Sequence, residues 1–392
     1  MLRLNRLAIR PAVRGFATTH RALAQAALDA SKLKITKTSS PKTFPPKEEL
    51  QFGKVFTNHM LTIEWDEKEG WKTPEIKPYG PLSLDPSASV LHYSFECFEG
   101  MKAFKDNDND VRLFRPDKNM ARLNTSAARI ALPTFDGEEL TKLIAKYVDI
   151  ERDSVPQGMG YSLYLRPSLI GTNAELGVKH PSSALLYVIA SPVGPYYKSG
   201  FEAVRLEASH GAVRAWPGGV GNKKLGANYA PTVVPQIDAA KRGYQQILWL
   251  FGDDGVVTEA GTMNAFFVFK DNQGHKELVT APLDGTILEG VTRDSILALA
   301  RERLNPDEWT VSERYYTINE ILEKSKQGLL VEAFGAGTAA IVSPIKEVGY
   351  KNESIHVPLQ EGKEAGALTE QMMNWILDIQ YGVEEHPWSY KI

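Results

Sequence analysis

Four strand-like runs follow one another with only short turns between them: QILWLF (246–251), VVTEA (256–260), NAFFVFK (264–270) and KELVTAP (276–282), with GDDG and DNQG among the turns. Turns of that length join antiparallel neighbours, because a parallel crossover needs about a dozen residues or more. A β-meander therefore occupies the second half of the chain, and it excludes a sheet built there by strict βαβ alternation.

The rest of the chain mixes helices and strands just as irregularly, with no internal repeat. Residues 54–66 (KVFTNHMLTIEWD) alternate and are rich in β-branched and aromatic side chains. SVLHYSFECFEGMKAFK, with the turn DNDND before VRLFR, predicts a hairpin. Helical spacing predicts helices over 117–130, with Asp117 as N-cap, and over 138–152. SLYLRPSLIG, ALLYVIASPV and VRLEAS read as further strands. PTVVPQIDAAKRG, GVTRDSILALARERL, NEILEKSKQG and TEQMMNWILDIQYG read as helices. At 392 residues the chain exceeds the size at which one core tends to divide. The Pro/Gly-rich SPVGPYYKSGF marks the division. It sets a small domain over 51–190, an inter-domain loop over 191–202 and a large domain over 203–392, preceded by a Lys/Ser/Pro-rich arm over 29–50.

With 45 basic and 48 acidic side chains the net charge is -3, which points to no nucleic-acid partner. No apolar run reaches the ~20 residues that span a bilayer, so no membrane partner is expected. The single cysteine, Cys97, excludes an internal disulfide and a Cys-based zinc cluster, and its aromatic neighbours predict a buried, inert thiol. The eight histidines are scattered with no His-x-x-x-His pair, so no metal site is expected.

The N-terminus differs. Its first 28 residues hold five arginines and no acid. Arg3, Arg6, Arg10 and Arg14 fall at helical spacing, the pattern of a mitochondrial transit peptide, with RGFATT (14–19) resembling a processing site. Serine is missing there, a small departure from the usual composition. Residues 1–28 are therefore expected to be a presequence, and the mature protein to work in the mitochondrial matrix.

VGNKKLGANYAP (220–231) places Lys223 and Lys224 side by side in a Gly-rich run ending in Asn and Tyr. Adjacent residues of an extended segment face opposite ways, so the two lysines should not share a role; spacing does not choose between them. FGAGTAAIV (334–342) and EGVTRDSI (289–296) each offer a Gly-rich turn with free N–H groups and a hydroxyl, Thr338 or Thr292, suited to an anion. A desolvated lysine beside a phosphate cup suggests pyridoxal phosphate, whose aldehyde a neutral amine attacks. That cofactor's ring needs an acid facing its pyridine nitrogen. Glu259, in an apolar strand with no base near it in sequence, is the candidate.

KLGANY (224–229), EAGTMN (259–264), HYSFECFEGMKAFK (92–105), YLRPSLIG (164–171) and FGAGTA (334–339) together resemble the eukaryotic branched-chain-amino-acid aminotransferases, of the fold-type-IV pyridoxal-phosphate class. The resemblance runs from about residue 50 to the C-terminus. It implies a mixed α/β (α+β) fold, with a smaller α/β N-terminal domain and a larger C-terminal pseudo-barrel domain. It also implies pyridoxal 5'-phosphate as cofactor and a homodimer with shared sites. It selects Lys224 as the lysine that carries the cofactor and leaves Lys223 as its solvated neighbour.

By the same resemblance Glu259 pairs with the pyridine nitrogen, Tyr229 faces the phenolic oxygen and Arg122 holds the phosphate. Val291, Thr292 and Thr338 complete the cup, and Thr262 faces cofactor and substrate. Thr338 and Ala339 receive the substrate carboxylate. Phe56, Tyr93, Phe98, Tyr164, Arg166 and Tyr196 surround the side-chain pocket, and Leu176 and Val178 lie on a loop lent by the other subunit. There is one departure: Ala340 and Ser343 stand where mammalian mitochondrial members have Cys-x-x-Cys, so redox regulation through that pair is not expected.

The reaction implied is reversible transfer of the amino group of leucine, isoleucine or valine to 2-oxoglutarate. It is ping-pong through pyridoxamine phosphate, with Lys224 as general base and then acid. An aromatic wall of Phe56, Phe98 and Tyr196 suits the branched side chain at roughly 0.8 kcal/mol per buried CH2. Arg166, with the hydroxyls of Tyr93 and Tyr164, offsets the cost of burying glutamate's side-chain carboxylate. D-amino-acid aminotransferases and aminodeoxychorismate lyases share the scaffold, but EGMKAF, KLGANY and the long N-terminal portion argue against both. A non-catalytic mitochondrial binding partner would predict a broken catalytic set, and this one is intact.

Overall fold

The computed structural model describes residues 25–195, 202–209 and 211–392. Most of the presequence expectation, and Tyr196, lie outside the described residues.

The described residues form two sheets. The first contains β1 (Lys34–Ile35), β2 (His59–Asp66), β3 (Gly70–Trp71), β4 (Glu75–Pro78), β5 (Glu96–Phe98), β6 (Met101–Lys105), β7 (Val111–Phe114), β8 (Ser162–Gly171) and β9 (Ser183–Val193). Its order is β1-β4-β2-β9-β8-β6-β7, with β3 on β2 and β5 on β8. Three helices accompany it: α1 (Ser89–Tyr93), α2 (Pro116–Arg129) and α3 (Gly137–Ile150).

The expected hairpin exists as β6–β7. Ser89–Tyr93, expected within it, is instead the short helix α1, closed by Ser94 in the left-handed region (φ 53). Asp117 is not the N-cap of α2. Arg115 takes that place and Pro116 opens the helix, its fixed φ suiting the first turn, where Asp117 adds a favourable negative charge. Asp136 caps α3 by accepting from Glu138 N and Glu139 N.

Alternation along β6 and β8 positions the site. Met101, Ala103, Leu163, Leu165 and Leu169 enter a core shared with Leu123 of α2 and Leu143 of α3. Their alternates, Lys102, Tyr164, Arg166 and Ser168, therefore share the other face. On that face Lys102 pairs across from Tyr164, and Phe98 across from Ser168.

The second sheet contains β10 (Val204–Ala208), β11 (Gln246–Phe251), β12 (Val256–Ala260), β13 (Met263–Lys270), β14 (Lys276–Thr280), β15 (Trp309–Glu313), β16 (Leu330–Gly337), β17 (Ile341–Tyr350) and β18 (Glu353–His356). Strands β11 to β14 are the antiparallel meander that the short turns predict. Pairing of β12 with β13 closes β12-β11-β10-β17-β16-β13 into a barrel. All of its strands feed one core cluster, including Leu206, Leu248, Val257, Phe267, Ala333 and Ile345. Phe266 and Val268 point the other way, onto Ile296 of α5 (Val291–Arg303) and Ile376 of α7 (Ala367–Gln380). Helices α4 (Val233–Lys241) and α6 (Ile318–Lys326) complete the set.

Both ends of the described chain depart from the expected boundaries. The last strand, β19 (Ser389–Lys391), leaves the second half and pairs with β7. Ala26 exchanges backbone hydrogen bonds with Glu69 and Trp71, and Leu28 is buried in the first core, although the arginine-rich pattern assigns both to the presequence. Neither segment has a periodic pattern; backbone pairing and, at Leu28, burial place them.

Candidate active site

The lysine loop is held from several sides. Phe98 N donates to Lys224 O (3.1 Å), Cys97 bridges to Leu225, and Lys224 N donates to Ser126 Oγ of α2 (2.9 Å). Asn228 closes the loop on itself, donating to Val220 O (2.9 Å) and Lys223 O (2.8 Å). Gly226 lets the loop lie on β5, since a Cβ there would fall 1.8 Å from Glu96 Oε1. So fixed, Lys224 donates from Nζ to Tyr229 Oη at 2.9 Å, with the Phe98 ring centroid 4.7 Å from Nζ.

Burial pushes the Lys224 ammonium down to about 8, and Arg122 pushes the same way while Glu99 opposes. Burial, then the charge of Glu259, pushes the Tyr229 phenol up to about 12. Near pH 8 this gives a partly neutral amine hydrogen-bonded to a phenol that keeps its proton. Burial also pushes Glu259 upward, and Arg214 and the Leu288 N–H oppose it. Arg214 Nε lies 2.8 Å from Glu259 Oε2, and Leu288 N donates to Oε1 at 2.7 Å. With a full counter-charge and a hydrogen bond, we read Glu259 as ionised.

Arg122 donates to both oxygens of the buried Glu99, from Nε (2.7 Å) and Nη2 (2.8 Å), and from Nη1 to Glu289 O (2.9 Å). Asn119 also donates to Glu99 (2.8 Å). Three of the five Arg122 donors are thus used within the protein. Its guanidinium stands beside the start of α5, where Gly290 is the N-cap and Val291 and Thr292 are buried. A Cβ on Gly290 would lie 2.1 Å from Asn264 Oδ1.

Antiparallel pairing of Asn264 with Ala336 puts the β12–β13 turn, which carries the exposed Thr262, next to the β16–β17 turn, which carries Thr338 and Ala339. Lys102 Nζ reaches across from the first sheet to donate to Ala339 O at 2.7 Å.

On the first sheet the Phe98 ring lies 5.2 Å from the Tyr229 ring and 4.7 Å from the Arg166 guanidinium. Arg166 Nη2 donates to Tyr164 Oη (3.0 Å). Phe56 stacks on Tyr79 (5.2 Å). Tyr93 lies at an exposed edge, its hydroxyl donating to Leu176 O (2.6 Å), and Leu176 and Val178 are 67% and 73% exposed. Cys97 is buried, and burial pushes its thiol well above the ordinary range.

The structure thus gathers Lys224, Tyr229, Glu259, Arg122, Phe98, Tyr164 and Arg166 between the two sheets, and leaves Tyr93, Leu176 and Val178 exposed, with Tyr93 bonded to Leu176. Sequence reasoning missed Glu99, Arg214, Ser126, Lys102 and Tyr79. For Glu99 a signal exists, a charge inside the apolar run FECFEGM; the lone Arg214 ten residues before Lys224 has none.

Residues 96–348 match the class IV amino-transferases. The chain is 66% identical over 366 residues to the mitochondrial branched-chain-amino-acid aminotransferase of Saccharomyces cerevisiae, covering 93% of each. It is 65% identical to the cytosolic one of the same yeast, covering 93% of this chain and 97% of that one. The chain belongs to the branched-chain-amino-acid aminotransferases. Among solved structures, the T.th. branched-chain amino acid aminotransferase with pyridoxamine 5'-phosphate is 25% identical, with a TM-score of 0.64, covering 83% of this chain and 97% of that one. Aminotransferases of this fold type depend on pyridoxal phosphate. The donor set of this aminotransferase suits that group: an amine with weakened hold on its proton, a neutral phenol beside it, a buried carboxylate with its own counter-charge, and an arginine at a helix start.

Proposed function

We propose that the protein is a branched-chain-amino-acid transaminase that moves the amino group of L-leucine, L-isoleucine or L-valine reversibly to 2-oxoglutarate, with pyridoxal 5'-phosphate carried on Lys224. The observation that carries this reading is the Lys224 amine, depressed to about 8, within 2.9 Å of Tyr229 and between the buried Glu259–Arg214 and Arg122–Glu99 pairs. The bound cofactor supplies a ring that accepts the electron pair released when the substrate loses its α-proton.

The chain's own residues do the rest. Lys224 Nζ takes the α-proton as general base and returns it as general acid; its lowered proton affinity suits both tasks near pH 8. Tyr229 orients that amine. Glu259, paired with Arg214, offers a carboxylate to a protonated ring nitrogen, and Arg122 with the Val291 and Thr292 amides offers positive charge to a phosphate. Thr262 and the Thr338–Ala339 turn face the substrate, the turn receiving its carboxylate. Phe98 and Phe56 exclude water around the branched side chain, and Arg166 with Tyr164 receives the distal carboxylate of 2-oxoglutarate.

The reading includes a homodimer with shared sites, in which the exposed Leu176 and Val178 lie on a loop lent to the partner subunit's pocket. It includes a small and a large domain dividing at 191–202, supported by the change of sheet between Val193 and Val204. It places the protein in the mitochondrial matrix, on the strength of the arginine-rich N-terminus. Cleavage falls before Ala26, because Ala26 and Leu28 are built into the first sheet and its core.

The test is an absorbance spectrum of the purified protein before and after L-leucine, for wild type and Lys224→Ala. A visible cofactor band that collapses with leucine only in the wild type is expected. No band after incubation with pyridoxal phosphate would sink the reading. A response to D-alanine but not L-leucine would overturn the substrate assignment alone.

A further inference from the structure

Lys102 differs from the buried arginines. The Arg115, Arg122, Arg214 and Arg293 side chains are each at least nine-tenths buried, and each has a carboxylate within 3 Å: Asp294, Glu99, Glu259 and Glu313. Lys102 is 9% exposed, yet among the described residues no carboxylate pairs with it. Its hydrogen bond goes to a neutral carbonyl, Ala339 O, at 2.7 Å. Burial, with no charged neighbour offsetting it, pushes its ammonium down to about 8. A buried charge without a counter-ion is expensive, and an arriving anion relieves that cost.

The turn it grips is strained. Ile341, which ends the turn, has φ 64, a left-handed conformation that a β-branched residue rarely adopts. An ammonium on Ala339 O also holds in place the turn that carries the Thr338 and Ala339 amides and puts a positive charge beside them.

We propose that Lys102 is a positioning residue that supplies the missing counter-charge for the α-carboxylate common to both substrates, acting through the 338–340 turn. The inference rests on the reading that this turn receives the carboxylate. It explains how one site holds an amino acid and an oxo acid alike: the shared carboxylate end meets a fixed charge borrowed from the opposite sheet, while side-chain selection is left to Phe98 and Arg166. Lys102 lies beside Tyr164 on the same face, so one strand pair serves both ends of the substrate.

The experiment is calorimetric titration of the holoenzyme with 4-methylvalerate and with its uncharged amide, for wild type, Lys102→Gln, Lys102→Met and Lys102→Arg. Wild type should prefer the acid. Lys102→Gln keeps a donor for Ala339 O but not the charge; it should lose about tenfold in affinity for the acid and leave the amide within about twofold. Lys102→Met should behave likewise, and Lys102→Arg should restore the preference. Should Lys102→Met fail to fold, the Gln and Arg variants decide. Unchanged acid binding by Lys102→Gln, or equal losses for acid and amide, would overturn the role given to the charge. A wild type that does not distinguish acid from amide would instead remove the turn's assignment, and this inference with it.

Discussion

Glu259 Oε2 and Arg214 Nε lie 2.8 Å apart, with side chains only 2% and 4% exposed. Neither charge is tolerable there alone. Arg214→Met should cost about 3–5 kcal/mol of stability, because it strands a buried carboxylate. Glu259 would then take up a proton and cease to oppose a protonated ring, lowering kcat by about 10²-fold. The double variant Arg214→Met/Glu259→Met should recover most of the stability and none of the activity. Urea unfolding and steady-state kinetics on the wild type and the two variants check this.

Lys224 and Lys102 both give up their protons near pH 8 in the folded chain, against an ordinary lysine value of 10.5. Between those values the unfolded chain binds more protons than the folded one, so stability rises with pH. The cofactor-free protein should therefore be harder to unfold with urea at pH 9.5 than at pH 7.5, by an amount on the order of 1 kcal/mol per lysine. Lys224→Ala and Lys102→Met should each flatten part of that slope; a slope unchanged in both variants would refute the assignment.

Gly100 has no room for a side chain, since a Cβ would lie 2.2 Å from Tyr164 Oη and 3.1 Å from Cζ. Gly100→Ala must turn the ring and break its bond from Arg166. The KM for 2-oxoglutarate should rise about tenfold and that for leucine by less than about threefold, the former alone depending on a charge-assisted bond. Equal effects on both substrates would remove Arg166 and Tyr164 from carboxylate recognition.

Glu332, buried on β16, accepts from Leu368 N (3.1 Å), Thr369 N (2.9 Å) and Thr369 Oγ1 (2.8 Å) at the start of α7. Glu332→Ala leaves those donors buried and unpaired, at a cost of about 2–4 kcal/mol. The melting temperature should fall with both KM values unchanged, which separates this carboxylate from those of the site.

Local periodicity and turn length are properties of neighbouring residues, and what depends on them was legible in the sequence. The meander from 246 to 280, the helices over 116–129 and 137–150, the apolar strand around Glu259 and the Gly-rich lysine loop can each be read without a partner. Family motifs added Tyr229, Arg122 and the choice of Lys224, which spacing left open. Pairing between distant segments obeys no such local rule. Closure of the barrel through β12–β13, the return of β19 to β7, the grip of Lys102 on Ala339 and the bond of Arg214 to Glu259 join residues whose local sequences say nothing of each other. Ser89–Tyr93 makes the same point: aromatic neighbours suggest a strand, while the packed chain makes it a helix. Residue order limits which groups can do chemistry here. Packing selects which charges stand together, because a buried charge's state depends on what the fold places within a few ångströms of it.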